Sequence, residues 1–123
     1  MPRLRSALVV LGAAAAVAVP SASAATPAKL VGTVGPSITI AITQGGKPVT
    51  KLKAGTYLLT VNDKSRAHTF FLETMKGTKI VTMPITTAPF VGVKQVTLKL
   101  TPGKYLVYCN LHLNFMKSEF SVS

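Results

Sequence analysis

The chain is predicted to be all-β, an antiparallel Greek-key β-sandwich of about seven or eight strands, and three observations carry that expectation. Short segments alternate apolar and polar residues with period two, and they are rich in β-branched side chains. Gly, Pro, Asn and Asp pairs punctuate them at close intervals. After residue 25 no stretch sustains the 3.6-residue period of an amphipathic helix.

Taken in order, the first segment is set apart. MPRLRSALVVLGAAAAVAVPSASA carries Arg3 and Arg5, an apolar run from Ala7 to Val19, and small residues at Ala22-Ser23-Ala24. This is the three-part pattern of a secretory signal peptide, expected over residues 1–24 with cleavage near Ala24/Ala25. The apolar run is shorter than the ~20 residues a membrane-spanning helix needs, and Pro20 closes it. No transmembrane segment is therefore expected after cleavage, and the protein is expected in the periplasm, the cell envelope or the medium.

One domain, residues 25–123, remains: 99 residues once 24 are taken from 123. That is long enough for a hydrophobic core without disulfides. Residues 25–35 read as a loose leader. SITIAIT (Ser37–Thr43) places Ile38, Ile40 and Ile42 on one face, and KQVTLKL (Lys94–Leu100) does the same with Val96, Leu98 and Leu100. TYLLTV (Thr56–Val61), AHTFFLE (Ala67–Glu73), TKIVTM (Thr78–Met83), KYLVYC (Lys104–Cys109) and KSEFSV (Lys117–Val122) complete the strands. Gly45-Gly46, Ala54-Gly55, Asn62-Asp63, Lys76-Gly77 and Pro102-Gly103 are the expected turns.

The charge balance narrows the partners. Removing Arg3 and Arg5 from a formal +11 leaves +9, against only Asp63, Glu73 and Glu119. Such a surface favours anionic partners. No basic-aromatic motif accompanies the lysines, so nucleic acid is not expected. With only three acids the paired carboxylates of acid–base catalysis are hardly available, and no enzyme activity is expected.

The informative stretch is YCNLHLNFM, Tyr108–Met116. It holds the single Cys of the chain, Cys109, together with His112 and Met116, in the spacing C-x2-H-x3-M on the loop between the last two strands. A loop can turn three side chains towards one point, whereas a strand alternates them between faces. The other histidine, His68, lies 44 residues before His112. Each residue alone has a plainer role: buried Cys, solvated loop His, core Met, core His. Together, thiolate, two imidazoles and a thioether form the soft donor set of a trigonal copper site with a weak axial Met. Zinc is disfavoured by the thioether. A Cys–His nucleophile would need an orienting third group, and none is placed for it.

On these residues the chain resembles the small exported cupredoxins of the plastocyanin, amicyanin and azurin kind. The likeness covers nearly all of residues 25–123 in strand order, and is specific at His68 and at YCNLHLNFMKSEFSV. The resemblance implies one copper ion held by His68, Cys109, His112 and axial Met116, and one-electron transfer to a redox partner by a monomer. The lysines imply an acidic docking surface on that partner. In that family Asn often follows the upstream His and ties the two ligand segments together; here Thr69 stands in its place. Two other readings share the residues: a copper carrier that releases its metal, and a non-redox binding module with a vestigial site.

Overall fold

The alternating segments can bury their apolar faces only against one another, and they do so as two sheets. The computed structural model describes residues 26–123, together with Gly12 and Ala14. Apart from those two residues, the signal segment expected over 1–24, and with it the boundary at Ala24/Ala25, lies outside the described residues. Among the described residues there is no helix, and so none long and apolar enough to cross a membrane.

The strands are β1 (Ala28–Val34), β2 (Ile40–Gln44), β3 (Lys47–Pro48), β4 (Lys51–Leu52), β5 (Gly55–Asp63), β6 (Phe70–Lys76), β7 (Lys79–Thr86), β8 (Gly92–Leu100), β9 (Gly103–Tyr108) and β10 (Lys117–Val122). One sheet has the order β3-β2-β1-β5-β8, the other β4-β10-β9-β6-β7. β3 and β4 are two-residue pieces at sheet edges, which reconciles ten strands with the seven or eight expected. Leu30, Leu59, Val61, Phe70, Leu72, Leu98, Leu100 and Val107 from both sheets form the core.

The sheets are mixed where antiparallel pairing was expected: β1 runs parallel to β5 and β4 parallel to β10. Parallel neighbours need a long crossover, and between β1 and β5 the excursion through β2, β3 and β4 supplies it. β1 also replaces the loose leader expected over residues 25–35. Its buried positions, Leu30, Gly32 and Val34, do alternate, but the middle one is a glycine, which hides the pattern. Gly32 is there because the Phe70 ring occupies the space of its side chain: a Cβ would lie 2.7 Å from Cζ.

Three boundaries also differ. Ile38 belongs to a bend before β2 and is exposed, because Gly35 N–H donates to Thr39 O and closes a turn there. Asn62 and Asp63 are the last residues of β5, so the turn falls one step later. His68 is not in a strand; it ends that turn, two residues before β6. The register aligns Val34 with Asp63, Asp63 with Gly92, and Tyr108 with both Phe71 and Lys117. The segments that follow Val34, Asp63 and Tyr108 therefore gather at one end of the sandwich.

Candidate metal centre

At that end the two ligand-bearing segments meet. The 109–116 loop is a compact turn held by its own backbone. Cys109 N–H donates to Met116 O at 3.0 Å, His112 N–H to Cys109 O at 3.1 Å, and Met116 N–H to His112 O at 2.9 Å. This curl brings His112 back over Cys109, its Nδ1 lying 3.6 Å from Sγ. The other segment is anchored by Asp63, which is buried with 1% exposure. Its Oδ1 accepts from Ser65 N–H at 3.1 Å, Ser65 Oγ accepts from Ala67 N–H at 3.1 Å, and His68 N–H donates to Ser65 O. These side-chain turns deliver His68 to the site. Gly35 makes room for them at φ +73, where a Cβ would lie 2.8 Å from Ser65 Cβ and 3.4 Å from His68 Cδ2. Such a backbone conformation favours glycine.

His68 Nδ1 lies 3.2 Å from His112 Nδ1 and 4.0 Å from Cys109 Sγ. The three atoms thus form a triangle, with the rings edge to face at 78°. Trigonal bonds of about 2.0 Å to nitrogen and about 2.3 Å to thiolate set edges of roughly 3.5 and 3.7 Å, so a single divalent transition ion fits this group with small adjustments. His68 and Cys109 are buried and His112 is half-buried. Met116, the fourth predicted residue, is 1% exposed and closes the loop directly onto Cys109 and His112 through its backbone. All four predicted site residues therefore lie on the two segments that meet here.

The surroundings of the sulfur favour its ionised form. Burial pushes the Cys109 thiol up, but the Thr69 hydroxyl, His112, and the Thr69 and Leu111 amides outweigh it and bring the pKa from 9.0 down to about 6. Thr69 N–H donates to Sγ at 3.3 Å, and the hydroxyl lies 3.5 Å from it. The same hydroxyl accepts from Asn110 N–H at 3.0 Å and donates to Asn110 Oδ1 at 2.7 Å. Thr69 is therefore the tie between the two segments, with Asn110 as its partner. The sequence offered Thr69 in place of Asn, and Asn110 beside Cys109 as a source of hydrogen bonds, but not that the two pair. Nor did it single out Asp63 or Ser65, whose only signal is the Asx- and Ser-turn chemistry of NDKSRAH. Outside, Leu111, Leu113 and Phe115 are exposed around His112, Phe115 by 75%.

No family profile and no curated protein matches this sequence. By structure, the chain is similar to rusticyanin, a copper protein, in its form from Thiobacillus ferrooxidans, with a TM-score of 0.58 at 17% identity over 81% of this chain and 79% of that one. It is also similar to auracyanin A, a blue copper protein from the green thermophilic photosynthetic bacterium Chloroflexus aurantiacus, with a TM-score of 0.53 at 14% identity over 80% and 100%. At these identities the likeness is one of fold: the chain shares the β-sandwich fold of these two copper proteins.

Proposed function

We propose that this chain is a type-1 (blue) copper protein that shuttles single electrons outside the cytoplasm, an electron carrier and not an enzyme. The observation that carries the reading is the triangle of His68 Nδ1, His112 Nδ1 and Cys109 Sγ. His68, Cys109 and His112 would hold the ion, with Met116 on the same loop as a further, weaker donor. Two imidazoles with a thiolate suit copper over harder ions, and a thiol already lowered to about 6 is ready to bind as thiolate. Bound copper would supply one-electron exchange between Cu(I) and Cu(II).

The chain's own part is positional. Both ligand segments are fixed by backbone bonds and by the Thr69–Asn110 tie, so the donors need not rearrange between oxidation states. Half-buried His112 reaches the surface among Leu111, Leu113 and Phe115, which offer an apolar contact for a partner. Exposed Lys64 and Arg66 precede His68 and exposed Lys117 follows Met116, so an acidic partner would be steered to this end. The N-terminal sequence supports export to the periplasm or beyond, and the protein acts as a monomer.

The test is to add Cu(II) to the protein and to a Cys109→Ser variant and record visible absorption. An intense band present only with Cys109 is expected. Its absence from the parent protein would sink the proposal. A band that forms, followed by loss of the metal on reduction, would move the chain to the class of copper carriers.

A further inference from the structure

The lysines are not spread evenly over the folded molecule. In the β1–β5–β8 sheet, the register places Lys99 opposite Thr56, at the end of β5 remote from Asp63 and the metal centre. In the other sheet, Lys51 and Lys104 both pair with Ser121, one step from the far ends of β4, β9 and β10. Lys53 follows β4, and Lys76 pairs with Lys79 across the turn of the β6–β7 hairpin, beyond the Thr74–Tyr105 pair. All six are exposed. Two side-chain carboxylates, Glu73 and Glu119, line a surface hollow with Met75, Ile80 and Lys104 beside this rim, against its six lysines. Glu73 and Glu119 lie further in, on either side of Leu106, and Asp63 is buried at the opposite end.

Two further observations select the occupant. The β6–β7 hairpin, Met75-Lys76-Gly77-Thr78-Lys79-Ile80, carries an exposed apolar pair inside its lysines: Met75 and Ile80 face each other across the strands, 59% and 58% exposed. The pole therefore offers charge and an apolar tip together. A bilayer interface calls for both, with ammonium groups at the phosphates and short apolar side chains at the acyl boundary. The chain also enters the sandwich from this pole. Ala28 pairs with Tyr57 at the far end of β5, so residues 26 and 27 lead into the fold on the lysine side.

The geometry points to the lysine pole, with the Met75–Ile80 hairpin at its tip, as a docking surface for an anionic phospholipid bilayer. Docked in this way, the protein turns His112 and its apolar surround away from the membrane, free to meet a partner. The inference does not depend on any metal being bound, and its failure leaves the copper reading untouched.

The protein in the form the cell exports is sedimented with vesicles of phosphatidylcholine mixed with phosphatidylglycerol, and with phosphatidylcholine alone. Binding is expected only with the anionic lipid and is expected to weaken as salt is raised. Lys76→Glu with Lys79→Glu should reduce it by about tenfold or more. Met75→Ser with Ile80→Ser should reduce it at unchanged net charge. Both pairs are exposed hairpin positions, and circular dichroism of each variant is the check that it folds. Lys64→Glu with Arg66→Glu, at the other end, should leave binding as it is. Indifference to anionic lipid overturns the proposal. So does binding that survives the hairpin changes, binding that is lost on the Lys64 and Arg66 changes, or capture by duplex DNA while vesicles are ignored.

Discussion

Replacing Thr69 by Val removes one hydroxyl and little else, because Val matches Thr in shape and keeps the N–H that donates to Cys109 Sγ at 3.3 Å. The hydroxyl holds Asn110 at two points, 2.7 and 3.0 Å, and lies 3.5 Å from the sulfur. A neutral hydrogen bond contributes about 1 kcal/mol net, and Asn110 is exposed enough to turn its freed groups to water, so a loss of about 1–2 kcal/mol is expected. The thiol should rise from about 6, since the Thr69 hydroxyl is the foremost of the groups that hold it down against burial. Urea unfolding of the metal-free protein reads the first quantity, and ultraviolet titration of the thiolate reads the second. Thr69→Ser, which keeps the hydroxyl, should restore both values in large part. If the Val variant titrates and unfolds like the parent, Thr69 is packing and not a tie.

Two other outcomes follow from the same geometry. A thiol lowered on folding contributes stability that is complete above its unfolded value near 9.0 and is lost as pH falls through about 6. Urea midpoints of the metal-free, reduced protein should therefore rise from pH 6 to pH 9, and Cys109→Ser should remove that part of the rise. Electron exchange of the copper-loaded protein with an acidic partner should slow as salt is added, since Lys64, Arg66 and Lys117 are exposed charges that ions screen. A rate indifferent to salt removes the acidic partner from the reading.

The sequence by itself determined which residues are apolar at period two, and so the strands β5, β6, β8, β9 and β10, because alternation is a local property of the backbone. It also determined that Cys109, His112 and Met116 share one short loop, since their closeness is written in their spacing. Partners distant in the chain were a different matter. His68 was singled out as the remaining histidine of the chain, but its delivery by the Asp63–Ser65 turn, outside any strand, required folded neighbours. β1 was misread because the void at Gly32 is filled by Phe70 from the other sheet, a contact that no local pattern records. The tie at Thr69 depended on bringing Asn110, 41 residues away, within 3.0 Å. The segregation of the lysines depended on strand register, because period two fixes the face a residue occupies and only pairing fixes the end of the sandwich on which it lies.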